Sequence, residues 1–211
     1  MTPSTVLAFA AMAALLIMSP GPNGVLIAKT VPTSGKAAGF ANIGGFATAF
    51  LVHGAFAIFG LSVLLLQSAT LFLAVKLAGA AYLIWVGLKA LVEAWRGTSA
   101  ALPDVAPARN PRTLAKAFGE GFLTNMLNPK VAMFYVAAFP QFMPHDGGSP
   151  LSAFVLVGVH IALNLAWFGP IVLLFDRLAK VARGGRLRRW IKGVTGVVFV
   201  GFGIKLATLR A

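Results

Sequence analysis

The chain has 211 residues, of which 58% are hydrophobic and 11% charged, where a soluble domain carries about 25% charged residues. At a mean hydropathy of +0.85 the few polar side chains cannot cover a water-soluble surface, which excludes an ordinary soluble enzyme and a disordered chain; with no cysteine, disulfides and thiolate metal sites are excluded as well. The net charge of +13 falls mostly between apolar stretches, the pattern of positive-inside membrane topology rather than of a nucleic-acid-binding protein.

Six apolar segments, each of roughly 20 residues, predict an all-α integral membrane protein with six transmembrane helices over about 5–28, 40–66, 69–92, 117–142, 151–175 and 190–209. The first lacks a basic leading region and stays apolar past Ser19-Pro20, so it reads as a spanning helix and not a cleaved signal peptide. The loop after it carries Lys29 and Lys36. Helix 2 has His53 near its middle, and helix 3 has Lys76 and Lys89 near its two ends, where lysine can snorkel. The stretch from Thr98 to Pro111, rich in alanine, proline and polar residues, predicts a linker (about 98–112) between halves 1–97 and 113–211 of one transmembrane domain. Arg96, Arg109, Arg112 and Lys116 lie in this second basic loop. Helix 4 contains Glu120 and Asn128-Pro129-Lys130. Helix 5 contains His160 and Asn164 and closes at Asp176. The third basic loop holds Arg177, Lys180, Arg183, Arg186, Arg188, Arg189 and Lys192. Basic residues thus cluster in the three odd-numbered loops, which predicts those loops on the cytoplasmic side and both termini on the periplasmic side.

The two halves repeat weakly. Offset by 116 residues, Lys76, Gly87 and Lys89 fall on Lys192, Gly203 and Lys205. Phe59-Gly60 and Phe168-Gly169 each precede an apolar run, and helices 1 and 4 each hold a proline motif. Because each unit has three spans, two in tandem have opposite orientations, an inverted repeat of the kind found in secondary transporters.

The proline motifs are Ser19-Pro20-Gly21-Pro22-Asn23 and Asn128-Pro129-Lys130. Proline inside a helix removes a backbone hydrogen bond and costs about 3 kcal/mol. Freed amides and carbonyls facing lipid cost several kcal/mol each, so they must face protein, water or a solute. Pro20 and Pro129 fall about 15 and 13 residues into their helices, near mid-bilayer at roughly 1.5 Å per residue. A half-helix starting at Asn23 or Pro129 offers amides and a positive dipole end to an anionic group such as a carboxylate. Asparagine caps such a start and proline suits its first position. Lys130 adds a positive charge there. The competing structural reading is a kinked helix in which Lys130 binds backbone carbonyls or a neighbouring side chain.

The chain resembles the LysE/RhtB family of amino-acid exporters over nearly its whole length. The residues that carry the resemblance are the two proline motifs, Gly35, Gly39, Gly45 and His53-Gly54, Gly60-Leu61, Gly79-Ala80-Ala81-Tyr82-Leu83 with Gly87, Phe118, Gly121-Phe122, and Phe139-Pro140-Gln141-Phe142. Ala49 stands where the family pattern usually has a further glycine. The resemblance implies a bacterial inner-membrane exporter of amino acids or close analogues, driven by the proton motive force, with no cofactor. It also implies that the two proline motifs line the transport path: Pro20, Gly21, Pro22, Asn23, Asn128, Pro129 and Lys130. The partners implied are an amino-acid substrate, protons and membrane lipid, with no nucleic acid; a homo-oligomer stays open.

Other polar residues have two readings each. Glu120, among only five acids, suits a coupling proton or a substrate ammonium, or else is an interface acid paired with Lys116 or Arg112. His53 and His160 titrate near pH 6.5 when unperturbed and suit a proton relay, or are neutral and bonded to carbonyls. Asp176 is a proton-coupling candidate or a local partner of Arg177. Asn164 contacts substrate or joins helices. With few acids to hold a cationic substrate, the sequence tilts toward a neutral one. The chain has no His-Glu-x-x-His, no Gly-x-Ser-x-Gly and no cluster of acids, so an intramembrane enzyme lacks its chemistry. A channel or pore, or efflux of another small solute, is the alternative to secondary export.

Overall fold

The computed structural model describes residues 2–60, 69–96, 112–143, 150–175 and 185–208, and every element in them is helical. Helix α1 spans Pro3–Met18, with Thr2 as its cap: Thr2 Oγ1 accepts from the Thr5 amide at 3.3 Å. Helix α2 spans Pro22–Ala55 and continues as one π-helical turn over Phe56–Gly60. Helix α3 spans Ala69–Arg96, α4 Leu114–Met126, α5 Pro129–Met133, α6 Pro150–Leu173 and α7 Gly185–Thr208. After α5 the chain widens into a π turn at Phe134–Ala138 and then tightens into a 3-10 turn at Phe139–Phe142.

Pre-proline sterics set the breaks. Ser19 and Gly21 each precede a proline, which disfavours the helical conformation, and both are extended. Asn128 precedes Pro129 and is extended too. Pro22 and Pro129 then occupy the first turns of α2 and α5, where a missing N–H costs nothing.

One expected boundary is corrected. The sequence suggested that helix 1 ends near residue 28 and that a loop carries Lys29 and Lys36 to a second helix near 40. Instead the helix runs on past both lysines, and the change of direction is concentrated in Gly35, at φ 83° and ψ 174°. That left-handed φ costs glycine nothing and other residues a good deal, so one residue does the work of a loop.

Three described helices are long and apolar enough to cross a membrane, over Pro22–Gly60, Leu73–Arg96 and Pro150–Leu173. Helix α1 is apolar but shorter, at 16 residues. Large apolar side chains lie exposed around the exterior, among them Leu7, Phe56, Trp95, Leu127, Leu151 and Trp190. A water-facing surface rarely tolerates so many together.

Two helix pairs approach backbone to backbone. A Cβ added to Gly45 of α2 would run into the Phe118 carbonyl and Phe122 amide of α4, and one on Gly121 would run into the Asn42 backbone. Asn42 Nδ2 seals this contact by donating to the Ala117 carbonyl at 2.6 Å. In the second pair, Gly87 of α3 faces the Gly196 carbonyl of α7, and Gly203 of α7 faces the Ala80 carbonyl of α3. Small residues permit such approach and let dispersion join helices in lipid. Lys76 is almost fully buried, so it is held among protein groups and does not snorkel, whereas Lys89 lies over the Trp85 ring at 5.4 Å. Between the pairs lies a core rich in phenylalanine: Phe9, Phe46, Phe50, Phe134 and Phe139.

Candidate transport site

The two proline breaks meet. Lys130, at the start of α5, sends its ammonium 111 residues back along the chain to Ser19. There Nζ donates to the Ser19 carbonyl at 3.3 Å, to Ser19 Oγ at 3.2 Å and to the Pro20 carbonyl at 3.0 Å. These carbonyls follow the C-terminal end of α1, the negative end of its dipole, where a cation is favoured. Lys130 therefore binds backbone carbonyls, as the structural reading expected, and those carbonyls belong to the other break.

The two half-helix starts differ. At α5, Asn128 Oδ1 accepts from the Lys130 amide at 3.1 Å, so the cap is supplied from within. At α2 the cap position is Gly21, and no side chain caps the helix. Its first-turn amides are thus the less satisfied set. Lys130 Nζ lies 2.9 Å from where a Gly21 Cβ would sit, so the ammonium and the open amide end share one place.

An asparagine network surrounds this place. Asn23 Nδ2 donates to Asn125 Oδ1 at 2.9 Å, and Asn125 Nδ2 donates to the Phe46 carbonyl at 2.9 Å. Asn23 Oδ1 has no partner among the described residues, and neither has either amide atom of Asn164, which is fully buried. Asn164 lies on α6 one turn from Phe168. The Phe168 ring packs on Phe46 at 5.8 Å and lies 3.9 Å from a Cβ built on Gly24. Buried amides without partners are costly, so these open atoms, one of them at a helix break, are the polar groups free to take a further hydrogen bond.

Glu120 is taken. Its Oε2 accepts from Arg112 Nε at 2.7 Å, both side chains being about a quarter exposed. Arg112 also donates from its guanidinium to Thr33 Oγ1 at 3.1 Å and from its amide to Ser34 Oγ at 3.0 Å. The pair ties the start of α4 to the residues just before Gly35. Exposed as it is, the bridge is worth under about 1 kcal/mol. Asp176 lies outside the described residues.

His53 and His160 are both buried, and both lie beside Tyr135. The sequence singled out the two histidines separately and missed Tyr135, Asn125 and Asn42. Tyr135 had a signal, as one of two tyrosines in the chain and a hydroxyl in an apolar helix. Among the described residues no group of three acids, histidines or cysteines could hold a metal ion.

The family model for LysE type translocator matches residues 14–210. The chain is 33% identical over 207 residues to the uncharacterized membrane protein YrhP of Bacillus subtilis, covering 95% of this chain and 97% of that protein. It is 30% identical over 197 residues to the threonine efflux protein of Escherichia coli K12, covering 92% and 93%. Against the homoserine/homoserine lactone efflux protein of Salmonella typhimurium it is 29% identical over 198 residues, covering 93% and 92%. No solved structure matches the chain.

Proposed function

Because the chain belongs to the LysE-type translocator family, whose members are transporters rather than enzymes, we propose that it exports a small neutral amino acid or a close analogue across a bacterial inner membrane. Its relatives that carry a substrate in their names are efflux proteins for threonine and for homoserine or its lactone. The observation that carries the reading is the uncapped start of α2 beside the Lys130 ammonium, with Asn23 Oδ1 unpartnered there and Asn164 unpartnered one turn from Phe168, whose ring lies beside Gly24. The substrate carboxylate docks at the α2 amides and Lys130. The substrate ammonium turns to Asn23 Oδ1, the carbonyl end of α1 being held by Lys130. A broken helix thereby offers both signs of partial charge to a zwitterion.

Transport follows alternating access of two inverted three-helix units, with six spans in all and both termini periplasmic. Three contacts support the repeat. Matched helices touch across the halves at Asn23–Asn125, at Phe46–Phe168 and along α3 and α7. Efflux draws on the proton motive force. The Arg112–Glu120 pair holds α4 against the turn at Gly35 and leaves proton carriage to other groups.

The test is efflux of radiolabelled threonine and homoserine from cells, with and without an uncoupler. Lys130→Met keeps the length of the side chain and removes the charge. Hydrogen bonds to charged groups contribute about 1.5–3 kcal/mol, so the variant is expected to lose efflux by about tenfold or more at equal membrane abundance. Wild-type efflux by Lys130→Met refutes the site, and uncoupler-insensitive flux in the unaltered protein favours a pore.

A further inference from the structure

We propose that His53, Tyr135 and His160 form the site that carries the coupling proton, one proton being shared between two imidazoles beside one phenol. The inference rests on the proton-driven export proposed above and assigns that proton to residues apart from the substrate groups.

The three residues come from α2, from the π turn after α5 and from α6. Tyr135 Oη lies 3.2 Å from His160 Nδ1. The tyrosine ring is within 9° of the plane of His160 and 15° of that of His53, with ring centres 5.6 Å apart in both cases. The backbone of Asn125 and Met126, where α4 unwinds, lies against His53. Nε2 of each histidine has no hydrogen-bond partner among the described residues. Each ring therefore keeps one nitrogen open.

The surroundings are apolar. Phe50 stacks on His160 at 4.0 Å, Phe9 and Phe134 meet its ring edge-on, and Phe139 lies 5.0 Å from Tyr135. Among the described residues Tyr135 faces His53 from α2 and His160 from α6; α1 contributes Phe9 against His160, the segment of Tyr135 itself contributes Phe134 and Phe139, and α3, packed on this turn where Gly79 meets Ala137, carries the buried Lys76 three residues before that contact. Lys130, five residues earlier, spends its ammonium on Ser19 and Pro20. In so dry a place two imidazolium ions repel strongly, and interacting groups titrate as a pair. The pair accordingly takes up one proton at most.

The step balances simply. Neutral His160 carries its hydrogen on Nδ1 and donates it to Tyr135 Oη; a proton adds to the bare Nε2, and the imidazolium keeps the Nδ1–H···Oη bond. Release of one proton to the opposite side restores the neutral pair, and no other bond forms or breaks. Loading is felt at the substrate because His160 and Asn164 stand one turn apart on α6, and because His53 abuts the unwound end of α4 that holds Asn23 through Asn125.

The experiment uses the purified full chain in proteoliposomes, with radiolabelled threonine and homoserine as probes. Two rates are read: flux driven by an imposed pH gradient, and exchange of labelled for unlabelled substrate with no gradient. Tyr135→Phe removes one oxygen, His160→Asn one titratable ring. Both are expected to lose most of the acceleration by the gradient, by about tenfold, with exchange falling less, and to flatten the dependence of flux on external pH. Tyr135→Phe keeps the test open should His160→Asn fail to fold. Full gradient acceleration in both variants overturns the assignment, as does gradient-independent flux in the unaltered protein. A wild type that moves neither probe refutes the export reading itself.

Discussion

Asn23→Ala is expected to reduce threonine or homoserine efflux by about tenfold or more while the protein still accumulates in the membrane. Asn23 does two things at once. Its Nδ2 satisfies Asn125 Oδ1 at 2.9 Å, deep in the protein, and its own Oδ1 stays open at the break. Truncation leaves Asn125 Oδ1 without its donor, at about 1–3 kcal/mol, and removes the proposed acceptor for the substrate ammonium. Asn125 keeps its bond to the Phe46 carbonyl, so α2 and α4 stay joined and the protein stays folded. Efflux from preloaded cells, normalised to the amount of protein in the membrane fraction, separates the two effects. Normal efflux by Asn23→Ala removes this residue from the site.

Gly121→Val is expected to have the larger effect on stability. A Cβ at Gly121 collides with the Asn42 backbone, which has no flexible end to move aside. Helix α4 would have to withdraw from α2. That strains the Asn42–Ala117 bond at 2.6 Å and the Asn125–Phe46 bond at 2.9 Å. Overpacking alone costs about 1–3 kcal/mol, and each buried hydrogen bond lost adds about 1 kcal/mol or more. The variant should lose most of its membrane abundance and show a clearly lower Tm in detergent. Gly119→Ala, two residues away, is the control. Nothing lies within 4 Å of a Cβ there, and alanine is favoured over glycine inside a helix by up to about 1 kcal/mol. Equal Tm values for the two variants would contradict the close packing of α2 on α4.

The breaks were legible because pre-proline sterics act within two residues. Ser19-Pro20-Gly21-Pro22 and Asn128-Pro129 bias the backbone toward extended conformations, which the single prolines Pro32 and Pro170 inside α2 and α6 do not achieve alone, and the asparagine cap at α5 is equally local. The Glu120–Arg112 pair spans only eight residues, and the interface reading of Glu120 anticipated it. The turn at Gly35 was hidden because Lys29, Pro32 and Lys36 interrupt the apolar run and so resemble a loop, whereas one left-handed glycine spares the helix on both sides. What Lys130 binds was undecidable locally. Its charge suits an anion as well as a carbonyl, and its partners lie 110 and 111 residues away. The meeting of His53 and His160 at Tyr135 has no sequence pattern at all, since it depends on three helices crossing at one level. Asn125 was overlooked for a related reason: it precedes the proline motif and gains its role only from Phe46 and Asn23.

The central claim is that the two breaks meet at the place where substrate binds. Cysteine accessibility tests it most directly, because the chain has no cysteine of its own. Gly24→Cys puts a single thiol in the first turn of α2, beside Phe168. Its reaction with a membrane-permeant maleimide is expected to slow by about threefold or more in saturating threonine or homoserine, as occupancy of a shared site requires. Labelling that proceeds at the same rate with and without a substrate the protein exports would contradict the claim.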